Sequence, residues 1–125
     1  MTENEIAKII VNVAFDIHKT LGPGLLESVY EEVMVYELVS LGLDVQRQKP
    51  IAVIWKDIKM NVGFRADLII ENKVIVELKS VAAISPVFPK TLLTYLKITD
   101  LKLGLLINFN VSLIKDGITR IANNL

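Results

Sequence analysis

The sequence predicts an α/β domain in which helices flank a small mixed β-sheet, in the order helix, helix, three strands, helix, strand. Three observations carry this expectation. Apolar residues recur at helical spacing between Glu3 and Leu41. Two β-branched segments, Phe64 to Ile70 and Val74 to Lys79, flank the polar trio Glu71-Asn72-Lys73, as two antiparallel strands and their connection would. A run that is apolar on both alternations, Leu101 to Phe109, follows a further helical stretch and suits a strand buried on both faces and reached by a helical crossover.

In chain order, Ile6, Ile9, Ile10, Val13, Ala14 and Ile17 make one stripe of a first helix from Glu3 to Thr20, with Thr2 or Asn4 available as its cap. Val11, Phe15 and His18 make a second stripe, which predicts contact with more than one neighbour. His18, the single histidine, has a ligand or general-base role open to it, but a packing or helix-end role is the expectation. Pro23 and Gly24 then lead into a second helix that Gly42 ends. Glu27 falls in its first turn, where the helix dipole favours an anion, and Tyr30 follows one turn later on the same side. Glu31, Glu32 and Glu37 read as solvated. Asp44 to Trp55 reads as extended structure interrupted by Pro50, with Gln46 to Lys49 as a solvated edge and Trp55 as a packing residue. Lys56-Asp57 turns the chain into Ile58 to Val62. Ser85-Pro86 and Pro89 introduce a third helix from Lys90 to Ile98, its core face made of Leu92, Leu93 and Leu96. Ile114 to Ile121 closes the domain as a short strand or turn.

The 125 residues make one domain, 1–125, long enough to bury a core unaided. The chain carries no apolar run of membrane-spanning length and no basic leader, so a soluble protein without a membrane partner is expected. Without cysteine there is neither a disulfide framework nor a thiolate zinc site, and a cytoplasmic setting is the natural default. A hydrophobic share of 52% points to surplus apolar surface of the kind a homodimer would cover. Fourteen Lys plus Arg balance fourteen Asp plus Glu, so no overall positive field draws the chain to nucleic acid, and any such contact must be local.

The central hairpin holds the chemistry. Ile75, Glu77 and Lys79 share one strand face, and Val74, Val76 and Leu78 share the other. Asp67, Glu77 and Lys79 interrupt segments that are otherwise apolar, and charges at inner positions are costly unless paired, hydrated or bound to metal. A two-residue turn at Asn72-Lys73 places Asp67 and Glu77 on opposite faces. A three-residue loop, Glu71 to Lys73, makes them cross-strand neighbours. The second arrangement has the form of the D…ExK core of a divalent-metal nuclease; the plainer alternative is a structural Glu77–Lys79 ion pair.

With Gly24, Glu27 and Tyr30 ahead of Asp67 and Glu77-Leu78-Lys79, the sequence resembles the GxxExxY family of small bacterial and archaeal proteins, assigned to the PD-(D/E)XK nuclease superfamily. The resemblance runs through Phe64-Arg65-Ala66-Asp67, Leu93-Thr94-Tyr95-Leu96-Lys97 and Gly104 to Asn110. It implies a restriction-endonuclease-like core and phosphodiester hydrolysis of DNA or RNA. It also implies Mg2+ or Mn2+ held by Asp67 and Glu77 with help from Glu27, Lys79 beside the attacking water, and Tyr30 and Tyr95 as supporting or substrate-facing groups. The family's usual His-Glu-Ala-Gln run is Phe88-Pro89-Lys90-Thr91 here. Thr91 therefore stands for a glutamine and is too short to reach a water or a backbone phosphate as far away. The resemblance accordingly also accommodates a nuclease-fold protein that binds nucleic acid or a protein partner without cutting.

Overall fold

Thr2 opens the first helix of a computed structural model that describes residues 1–125. Its hydroxyl accepts the Glu5 N–H at 3.2 Å, and the Glu5 carboxylate accepts the Thr2 N–H at 3.1 Å. Helix α1 (Glu3–Leu21) buries the predicted stripe of Ile6, Ile10, Val13, Ala14 and Ile17. It stops at Gly22, which has φ 73° and donates its N–H to the His18 carbonyl. His18 is buried, and its Nε2 donates to the Val111 carbonyl at 2.8 Å, so the packing role expected of it holds. Helix α2 (Glu27–Ser40) turns Tyr30, Met34 and Leu38 inward.

Strands β1 (Val45–Ile51), β4 (Phe64–Ile70), β5 (Val74–Lys79), β6 (Leu103–Asn108) and β7 (Ile118–Ala122) form one mixed sheet in the order β1-β4-β5-β6-β7. Only β5 and β6 run parallel, joined over one face by α3 (Val87–Thr99), and every residue of β6 is buried. A short 3-10 turn, Ile114–Gly117, precedes β7. Helices α1 and α2 cover the other face with a 20-residue apolar cluster that includes Val74, Val76 and Leu78. The α3 face has a smaller cluster, Ala66, Ile69, Ile75, Leu92, Leu96 and Leu106. Gly104 lets α3 come close, because a Cβ there would lie 2.9 Å from the Leu92 side chain.

Two expectations need correction. Helix α3 begins at Val87 rather than Lys90. Pro86 caps it and Pro89 sits within its first turn, where no N–H is needed by the helix. The turn at Lys56-Asp57 into Ile58 to Val62 forms as expected. It joins β2 (Ile54–Trp55) to β3 (Ile58–Lys59) in a separate two-stranded hairpin. Its turn residues Lys56 and Asp57 have φ 49° and 65°, the geometry of a tight hairpin turn. Trp55 does not pack in the core: it is 64% exposed. Pro50 lies on β1, an edge strand, where its missing N–H costs least.

Candidate active site

The three-residue loop sets the hairpin register. Glu71 and Asn72 adopt φ 54° and 53°, the Lys73 N–H reaches the Ile70 carbonyl at 3.0 Å, and Ile70 faces Val74, Ile69 faces Ile75 and Leu68 faces Val76. One step further along, Asp67 lies across from Glu77. There the ladder gives way to side chains. The Asp67 N–H donates to Glu77 Oε2 at 3.0 Å, and the Leu78 N–H donates to Asp67 Oδ2 at 2.9 Å. Each carboxylate thus takes a backbone N–H of the opposite strand, which locks both side chains into the gap between them.

Strand β1 breaks at the same level. Its pairing with β4 runs Arg47 to Leu68 and Lys49 to Ala66 but skips Gln48, whose φ is 51°. The kink turns the Gln48 amide inward. Its Nε2 donates to Glu31 Oε1 at 2.7 Å and, more weakly, to Asp67 Oδ1 at 3.3 Å. Glu31 also accepts from Arg47 Nε at 2.7 Å. A chain of polar contacts therefore ties α2 to Asp67.

Burial, and next the Asp67 charge, push the Glu77 carboxyl up from its ordinary 4.5 to about 8; Lys79 opposes this least of the contributing groups. Burial, followed by the charges of Glu77 and Asp67, also raises the Tyr95 phenol, so that ring faces the acids from α3. Tyr95 is stacked on Phe64, with centroids 3.8 Å apart and planes within 6°. Lys79 places its ammonium 4.2 Å from the Phe88 ring centroid. It forms no ion pair: both ion pairs in the protein belong to Arg47, with Glu31 and Glu32. The structural Glu77–Lys79 pair is therefore not formed. A cavity of about 60 Å3, room for about two waters, is lined by Glu77, Lys79, Phe88, Thr91, Tyr95 and their apolar neighbours.

Of the residues singled out in the sequence, Asp67, Glu77, Lys79, Thr91 and Tyr95 meet here. Glu27 does not join them in a cluster: no group of three or more His, Cys, Asp or Glu side chains is placed to hold a metal ion. Glu27 is exposed in the first turn of α2, one helical turn before Glu31 and on the same side of the helix. Tyr30 is fully buried and does not face a substrate. Its ring stacks on Phe109 at 4.3 Å, and its hydroxyl donates to the Gly22 carbonyl at 2.6 Å and accepts the Leu25 N–H, closing the turn that leads to Glu27.

Sequence reasoning missed Glu31, Gln48 and Asn108. Glu31 is only 7% exposed, not solvated as expected. Glu31→Ala strands the Gln48 amide and the half-exposed Arg47, and about 1–2 kcal/mol of stability should be lost in urea melts. Asn108, a polar residue in the apolar run of β6, was a visible signal. Its side chain accepts the N–H groups of Val81 and Asn110 and donates to the Val81 carbonyl, which clamps the segment following Lys79.

Residues 4–121 match the family model of the PD-(D/E)XK nuclease superfamily, and the chain belongs to that superfamily. Its five-stranded, mostly antiparallel sheet flanked by three helices is consistent with a restriction-endonuclease-like fold. No curated protein matches the chain. Among solved structures, the crystal structure of SSO0001 is similar over 96% of this chain and 79% of that one, at 16% identity and a TM-score of 0.47. No helix is long and apolar enough to cross a membrane.

Proposed function

We propose that the protein is a divalent-metal-dependent nuclease of the GxxExxY type, hydrolysing phosphodiester bonds of DNA or RNA. The observation that carries this is the meeting of Asp67 and Glu77 across the opened hairpin, with oxygens left for a ligand. Glu77 Oε1 has no partner in the protein and is not sealed from solvent, and Asp67 Oδ1 has only the long contact from Gln48. Carboxylate oxygens are the donors that Mg2+ or Mn2+ prefer. Magnesium typically needs only one or two of them beside waters and substrate phosphates, so this pair fits without Glu27 in direct contact. Glu27, exposed one helical turn before Glu31, would act through water rather than as a direct ligand.

The metal, when bound, supplies an acidified water and a polarised phosphate. Asp67 and Glu77 would hold it, each carboxylate oriented by a backbone N–H. Lys79 would leave the Phe88 ring to meet the negative charge that grows on the phosphate, and the Tyr95 hydroxyl would orient a phosphate oxygen or water. Thr91 occupies the family's glutamine position on the cavity wall, and its hydroxyl reaches less far into the cavity than a glutamine amide would. Lys79→Met should lower the cleavage rate about 100-fold or more at saturating metal, while metal binding is retained; single-turnover kinetics with Mn2+ would show it.

Labelled single- and double-stranded DNA and RNA, incubated with Mg2+ or Mn2+, test the proposal directly. Cutting that EDTA stops and that Asp67→Ala lacks is expected; absence of Asp67-dependent cutting on every substrate would overturn it. A second reading, binding without cleavage, draws on Thr91 and on the resting of Lys79 against Phe88, and it would then stand.

A further inference from the structure

We infer that the β2–β3 hairpin is an arm that holds a single-stranded stretch of the nucleic-acid substrate and leads it to Asp67 and Glu77. This rests on the nuclease proposal for its substrate and adds a binding site that the acidic residues do not include. Between Lys49 and Arg65 the chain carries four basic residues, Lys49, Lys56, Lys59 and Arg65, against one acid, Asp57, although the whole sequence is balanced. None of the four is ion-paired. Such a local excess of unpaired positive charge is what a polyanion requires of a protein with no net field.

The hairpin stands apart from the main sheet and walls a groove of about 490 Å3, into which Lys59, Asn61, Phe64 and Arg65 face. The groove adjoins the active-site cavity across one aromatic pair. Phe64 lines it and stacks on Tyr95, which lines the cavity beside Glu77 and Lys79. Arg65 is two residues from Asp67 on the same strand, roughly 7 Å at about 3.3 Å per residue. At the hairpin's end Trp55 offers an open indole, 64% exposed, with the Lys56 ammonium 5.9 Å from its centroid. Stacking of unpaired bases on such a ring, with lysines alongside for the phosphates, is how single strands are held without sequence preference. The two-residue strands β2 and β3 are too short to serve as a ribbon that reads a duplex groove. A second copy of the chain fits less well. Two-fold pairing through this face would set the same lysines against each other.

Trp55 is the only tryptophan, so its emission reports on the arm alone. Wild-type protein in EDTA, where nothing is cut, would be titrated with a fluorescein-labelled single-stranded oligonucleotide, following anisotropy and, with unlabelled strand, indole emission. Quenching at saturation is expected. Trp55→Ala should bind about tenfold more weakly. Lys59→Ala with Arg65→Ala should weaken binding and lower the slope of log affinity against log salt by about 1.4, two phosphate contacts' worth. These side chains are exposed, so the variants should melt with the wild type. Unchanged emission, unchanged affinity in both variants, no binding at all, or a Trp55-dependent dimer in sedimentation would each overturn the arm. Asp67-dependent cleavage accompanied by hairpin-independent binding would remove this inference and leave the nuclease standing.

Discussion

Replacing Glu77 by glutamine stabilises the metal-free protein at pH 9 by roughly 2–4 kcal/mol, an upward shift of the melting temperature of about 10 °C, and changes it little at pH 4. The native Glu77 carboxyl holds its proton up to about pH 8, against 4.5 ordinarily, because it is buried beside Asp67. Between those values the unfolded chain releases the proton first and the native protein binds more protons. The contribution of Glu77 is therefore fully present below pH 4.5, declines as pH rises towards 8 and is gone above it. A shift of about three and a half pKa units at 1.36 kcal/mol each sets an upper limit of about 5 kcal/mol, which the partial exposure of the carboxyl lowers to roughly 2–4 kcal/mol. Glutamine keeps an oxygen for the Asp67 N–H and never charges, so wild type and variant diverge as pH rises. Thermal melts of both from pH 4 to 9 measure it; parallel curves over that span would show that the burial of Glu77 has no such consequence.

Asp67→Ala should lower metal-dependent cleavage by about a thousandfold or more, beyond what loss of one transition-state hydrogen bond accounts for, because on the proposed reading the ion would lose one of its two protein ligands. It should also cost about 1–3 kcal/mol of stability, since the Leu78 N–H is left without its acceptor. Asp67→Asn separates the two effects. It offers an oxygen to Leu78 and removes the charge that helps hold Glu77 protonated, so the Glu77 carboxyl should titrate lower. Stability recovers while cleavage does not. A rate in Asp67→Asn close to wild type would show that Asp67 acts through shape rather than charge.

Much of this architecture is legible in the residues. The separation of Val74, Val76 and Leu78 from Ile75, Glu77 and Lys79 follows from strand alternation, and each set meets its own helix layer. The doubly buried β6 and its parallel pairing with β5 follow from an apolar run placed after a helix. The hairpin register was not settled by sequence, since Asn72-Lys73 lacks the glycine that commits a two-residue turn. The left-handed conformations of Glu71 and Asn72 decide it. Glu31 was invisible for a related reason. Its charge alone assigns it to solvent, although it lies three and seven residues before the buried Met34 and Leu38, and only the kink at Gln48 brings an amide within reach. Trp55 reads as a core residue by its chemistry. Its exposure depends on β2 and β3 pairing with each other rather than with the sheet.

The central claim is that Asp67 and Glu77 together hold a divalent metal. Titration calorimetry with Mn2+ on wild type and Asp67→Asn at pH 7, in two buffers of different ionisation enthalpy, tests it most directly. Binding that Asp67→Asn loses is expected, with release of close to one proton per ion bound, as the metal displaces the Glu77 proton; repeated above pH 9, the release should vanish. Equal binding by the two proteins, or none by the wild type, would contradict it.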